Sequence, residues 1–157
     1  MNEDIDITLR LGAAAVAGAL IGINRDLLNK PIGMRTLALV GLGAAIVSLA
    51  GIQVEGMAGN PDALSRVIQG VIQGVMAGIS FIGAGVILRD REARRVEGLT
   101  TAATVWVTAA LGIACGLGAW HTVGIGLVIA LLLLMAGGWL EKIYAAANDD
   151  DKKKGSG

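Results

Sequence analysis

Asp62, Arg66, Gln69, Gln73 and Ser80 follow one another at spacings of four, three, four and seven residues. On a helix that begins near Asp62, with about 100° of rotation per residue, they fall in one narrow stripe. Asp62 and Arg66 can pair one turn apart. Gln69 and Gln73 lie further along, inside an uncharged run from Val67 to Leu88. An amide in such a run has two uses. It can line a polar path or ion-sensing cleft, or it can bond to a neighbouring helix. Beside this stripe, Gly70, Gly74 and Gly78 stand four apart, a tandem small-xxx-small pattern that lets a second helix approach closely. Ala14, Gly18 and Gly22 repeat the pattern earlier in the chain.

A second polar face is carried by Thr101, Thr104 and Thr108, continued by Gly112 and Cys115. Threonine hydroxyls on a helix bond back to carbonyls of the preceding turn, which needs no other partner. The alternative is that this face meets the Gln stripe and lines a shared polar interior. The basic residues cluster in short connections: Arg25 and Arg35 in one, Arg89, Arg94 and Arg95 in another. Plain anchoring at the membrane surface or binding of anionic head groups would both use them.

Motifs for enzymatic chemistry are missing. The sequence has no P-loop, no carboxylate-rich metal cluster and no recognisable Ser/His/Asp arrangement, and Gly83-Ala84-Gly85 lacks the strand that a dinucleotide fingerprint requires. The single histidine, His121, excludes a His-rich metal site, and the single cysteine, Cys115, excludes an internal disulfide. We expect no enzyme, no metal and no cofactor. The formal net charge is zero, which gives no case for a nucleic-acid partner.

The elements that must position these residues follow from the apolar runs. Hydrophobic residues make up 54% of the chain and are gathered into long stretches separated by short charged knots. A helix needs roughly 20 apolar residues to cross a bilayer. Five stretches qualify: Ile7 to Ile23, Arg35 to Ile52, Val67 to Leu88, Gly98 to Trp120 and Thr122 to Leu140. They do not alternate as transmembrane strands do, and open strands would leave backbone groups unpaired in lipid. The last two are joined by a tight turn at Gly116-Leu117-Gly118 and predict a helical hairpin. The expected fold is an all-α membrane protein of about five transmembrane helices, with residues 1–145 as the membrane domain. Residues 146–157 read as a disordered tail, with Gly155-Ser156-Gly157 an expression remnant.

Lys and Arg in the successive connections number three, one, four and none, followed by four after the last span. By the positive-inside rule, the first and third connections and the C-terminus are cytoplasmic, and the acidic N-terminus is outside. Trp120 and Trp139 stand at the two ends of the last span, where interfacial aromatics belong. Met1 to Asp6 is acidic, so no cleavable signal peptide is expected.

Four ordered segments resemble the MgtC/SapB/YhiD family of bacterial inner-membrane proteins. Ala19-Leu20-Ile21-Gly22-Ile23-Asn24-Arg25-Asp26 is similar to its GxxIGxxRE-type segment, and Pro31-Ile32-Gly33-Met34-Arg35-Thr36 to PAGLRT. Asp62 and Arg66, followed by Gly78-Ile79-Ser80-Phe81-Ile82-Gly83-Ala84-Gly85-Val86-Ile87, resemble the GIGFLGAGVI core. Gly98-Leu99-Thr100-Thr101-Ala102-Ala103-Thr104-Val105-Trp106-Val107 resembles GLTTAASIWV. The likeness covers about residues 5 to 140. Asn24 departs from it, since the family usually has Glu on both sides of the arginine.

The resemblance implies a multi-pass inner-membrane protein linked to survival in low magnesium, to acid stress and to virulence within phagocytes. The family's type member is tied to restraint of the F-type ATP synthase and to control of phosphate uptake, and direct magnesium transport is not the accepted activity. Many members carry an ACT-like cytoplasmic domain after the membrane region. The sequence here stops soon after Lys142. The expected role is non-enzymatic: regulation of magnesium, ion or energy homeostasis and of stress adaptation, within the lipid bilayer, by contact with other membrane proteins such as the ATP synthase or transporters. The Gly-rich third span is the expected site of self-association, as a dimer. The alternative is a small ion or solute transporter whose path follows the Gln stripe.

Overall fold

The computed structural model describes residues 2–53, 61–90 and 95–154, with side chains described for 2–53, 61–87 and 98–138. The element order is α1 (Glu3–Leu27), α2 (Met34–Ile52), α3 (Pro61–Val86), β1 (Leu88–Asp90), β2 (Arg95–Glu97), α4 (Leu99–Gly116) and α5 (Trp120–Lys154). All five helices contain a stretch long and apolar enough to cross a bilayer. In lipid, helices satisfy their own backbone, so the five apolar runs read from the sequence become the five elements of the bundle.

Small residues set the packing. The row Ala14, Gly18, Gly22 of α1 lies against α2, where the facing positions are Gly41, Leu37 and Met34. A β-carbon built on Gly18 would stand 2.3 Å from the carbonyl oxygen of Leu37, which no real side chain tolerates. On its other side α2 meets α4 just as closely: Gly112 faces the Gly41 carbonyl and Gly116 that of Ala45. The helix α2 is thus clasped on both sides, and α1, α2 and α4 form the centre of the bundle. Ile21, Leu37, Val105 and Leu111 make one buried cluster there, and Ala44, Ala109 and Ile113 another. The outer helices pack onto these clusters. Leu127, Ala130, Leu131 and Leu134 bring in α5, and Val75, Met76 and Ile79 bring in α3.

The turn expected at Gly116-Leu117-Gly118 is present: α4 ends at Gly116, and Gly118, at a positive φ of 73°, turns the chain into α5. Two features differ from the sequence expectation. The third connection is not plain loop: β1 and β2 pair antiparallel, with Leu88 opposite Glu97 and Asp90 opposite Arg95. Gly98 closes this hairpin at φ 86°, where a β-carbon would stand 2.2 Å from the Val86 carbonyl oxygen, so the position admits only glycine. Finally, the helical assignment of α5 continues to Lys154, into the segment read as a disordered tail. Ala145 to Ala147 are strong helix formers, and lysines at 152 to 154 favour a helix C-terminus. Arg94 and Gly155 to Gly157 lie outside the described residues.

Candidate functional site

The polar residues singled out from the sequence divide into two sets that never meet. The inner set lies on α4. Thr101, Thr104 and Thr108 are all buried, and they face the α1–α2 side of the bundle. The Thr104 hydroxyl donates to the Thr100 carbonyl at 2.6 Å, and the Thr108 hydroxyl to the Thr104 carbonyl at 2.8 Å. Ser48 on α2 bonds back to the Ala44 carbonyl in the same way, at 2.7 Å. These hydroxyls are spent on their own helices. The expected alternative, a Thr face opposed to the Gln stripe across a polar interior, is not what the fold makes.

Thr101 differs from its neighbours, because its Oγ1 accepts a hydrogen bond from the Arg25 guanidinium. The end of the apolar run at Ile23 predicts that Arg25 belongs to a basic connection. It is instead in the last turn of α1 and only 3% exposed. The α-helix simply runs four residues past Ile23, where the apolar run ends, and carries the arginine into the seam with α4. The next residue, Asp26, accepts the backbone N–H of Met34 at 2.9 Å. It thereby satisfies the first turn of α2, whose own N-cap is Gly33 and offers no side chain. Arg35 stays exposed at this end. Between them the chain turns through Asn29 and Ile32, both at positive φ. Ile32 is β-branched and rarely adopts this conformation; its side chain packs onto the Ile21–Leu37–Val105 cluster, which offsets the strain. The side chains of Arg89 and Arg95 lie outside the described set, and their backbone forms β1 and β2.

The far end of α1 holds a contact the sequence reading missed. Arg10 pairs with Asp6 at 2.7 Å and donates from Nη1 to the Gly116 carbonyl at 2.9 Å. A cation there complements the C-terminal end of α4. A signal was present, since an arginine set in an apolar run needs an acceptor nearby.

The outer set lies on α3. Asp62, Arg66, Gln69, Gln73 and Ser80 are all exposed, and so are Gly70, Gly74 and Gly78. Nothing lies within 4 Å of a β-carbon built on any of the three glycines. The branched residues Val67, Val71, Val75 and Ile79 take the opposite side, against the bundle. Among the described residues Asp62 and Arg66 form no ion pair with each other, although they stand one turn apart, whereas Asp6 and Arg10 at the same spacing do. The Ser80 hydroxyl bonds back to the Met76 carbonyl at 2.8 Å. The grooves nearby are apolar. One of about 460 Å³ between α2 and α3 is lined by residues such as Leu39, Val47, Val75 and Ile82. Another of about 200 Å³ lies between α4 and α5, beside Val107 and Leu133.

A family model described as the MgtC family matches residues 11–143. Protein SrpB of Synechococcus elongatus is 44% identical over 147 residues, spanning 88% of this chain and 79% of that protein. Protein MgtC of Salmonella typhimurium is 44% identical over 110 residues, which is 70% of this chain and 43% of that protein. Protein SapB of Bacillus subtilis is 36% identical over 118 residues, 73% of this chain and 49% of that protein. The chain therefore spans under half the length of these last two relatives. No solved structure matches it at a significant level.

Proposed function

The chain belongs to the MgtC family as a multi-pass membrane protein, and from that premise we propose that it is a non-enzymatic regulator of magnesium or energy homeostasis in the bacterial inner membrane. It acts by lateral contact with other membrane proteins, an ATP synthase or a transporter being the kind of partner that fits. The observation that carries this reading is the division of the polar groups. Interior hydroxyls are bonded within their own helices, while the amides and glycines of α3 point outward. A protein built to pass an ion within one bundle would place its amides inside. One built to be recognised by another helix places them outside.

The test has two arms. The purified chain is reconstituted in liposomes and magnesium flux is compared with that of Gln73→Leu. In parallel, both are expressed in a bacterium lacking its own family member and grown at low magnesium. We expect growth to be restored by the parent chain without any protein-dependent flux. Flux that Gln73→Leu abolishes would establish the transport reading, with a path along α3.

A further inference from the structure

The apolar groove between α2 and α3 has the length of one lipid leaflet. It runs from Thr36 to Val47 on α2 and from Ile82 back to Val75 on α3. At 1.5 Å per residue that is about 16 Å, against roughly 15 Å for half of a 30 Å hydrocarbon core. The deep end is shut, because a β-carbon built on Gly51, one turn beyond Val47, would stand 3.0 Å from the Val71 side chain. The depth of the groove comes from Gly43 and Gly78, one on each wall, where a β-carbon would meet nothing within 4 Å. At the other end, Thr36 also belongs to a second hollow of about 320 Å³. That hollow carries one carboxylate, Asp26, and one guanidinium, Arg35, both exposed. Asp26 accepts the Met34 N–H through Oδ2, and a carboxylate has capacity for further donors. The Thr36 hydroxyl and the first turn of α2 offer donors beside Arg35. An apolar slot thus opens into a polar hollow that carries both signs of charge.

We infer that the protein holds one aminophospholipid from the leaflet on the Arg35 side, with an acyl chain in the slot and the head group in the hollow. Charge selects this occupant. The phosphate lies by Arg35 and the Thr36 hydroxyl, and the primary ammonium donates to the Asp26 carboxylate. An anionic head without an amine would satisfy Arg35 but set a like charge beside Asp26. A protein helix laid against the groove would leave the charged hollow unmatched. Arg35 alone would bind any anionic head group; the slot and Asp26 together ask for an acyl chain and a zwitterionic head. The site is independent of the regulatory reading and does not rest on it.

Native mass spectrometry of the full chain in mild detergent tests it. Lipid is stripped by detergent exchange, and dioleoyl phosphatidylethanolamine or dioleoyl phosphatidylglycerol is added back. One phosphatidylethanolamine per chain should be retained, about tenfold more tightly than phosphatidylglycerol. Gly43→Leu and Gly78→Leu fill the slot where the bundle leaves open space. Each should weaken retention roughly tenfold and leave the melting temperature of the lipid-free protein at the parent value. Asp26→Asn keeps an acceptor for the Met34 N–H but removes the charge, and should erase the preference between the two lipids. Arg35→Gln should weaken both. Gly124→Leu on α5, with equally open space around it, should retain lipid as the parent does. A parent chain that retains no lipid, or holds phosphatidylglycerol as tightly as phosphatidylethanolamine, would overturn the inference. So would slot variants that retain lipid as well as Gly124→Leu does, or a second protein chain retained in place of lipid. None of these results depends on flux or on growth.

Discussion

Arg25 and the three buried threonines show how much a single side chain's meaning depends on its neighbours. The hydroxyls of Thr104 and Thr108 were legible in the sequence as back-bonded groups, because a helix always offers the carbonyl four residues earlier. The burial of Arg25 was not legible. A charge just after an apolar run looks the same whether the helix stops before it or carries on. Changing Thr101 to Val removes one acceptor from a buried cation, and should cost about 1.5–3 kcal/mol. Thr101→Ser should keep most of that. Thr104→Val and Thr108→Val should stay within about 0.5 kcal/mol of the parent, since each loses only a bond within its own helix. Thermal unfolding in detergent separates the two cases. Equal losses at positions 101 and 104 would mean that the Arg25 contact contributes nothing.

At the scale of whole helices, glycine patterns were readable but their direction was not. Gly18 and Gly22 on α1 and Gly70, Gly74 and Gly78 on α3 present the same spacing. Yet the first pair lies against the backbone of α2, whereas the second set has no atom of the bundle within reach of a β-carbon, and Gly78 borders the open groove between α2 and α3. Spacing gives the face of a helix but not what stands opposite it, which only the assembled bundle decides. The hairpin of β1 and β2 escaped the sequence reading for a related reason. Strands of three residues carry too little alternation to stand out from a charged loop. The contrast between glycines makes a prediction. Gly112→Leu drives a side chain into the Gly41 carbonyl and should destabilise by at least about 1–3 kcal/mol. Gly70→Leu, with open space around it, should leave the melting temperature of the monomer unchanged. A Gly112→Leu variant that melts like the parent would show that α2 and α4 are not in this contact.

The whole molecule was the most legible level. Five apolar runs of spanning length leave few alternatives in lipid, and the described residues contain five helices at those places. Which helices occupy the centre was hidden, because α2 and α5 are about equally apolar as sequences. Only one of them is clasped by glycines on two sides. One feature of the centre bears on how the chain tolerates change. Arg10 and Arg25 are fifteen positions apart on α1, and their acceptors, Gly116 and Thr101, are fifteen apart on α4. At 1.5 Å per residue both intervals measure about 22 Å. The two arginines therefore act as fixed marks on a ruler laid head to tail along α4. Substitution between the marks leaves the ruler intact, whereas an added residue lengthens it and turns one mark by about 100°. A single alanine inserted between Ala15 and Val16 should lower the melting temperature more than Thr101→Val does. If it does not, the two ends of α1 are not gauged against α4 together.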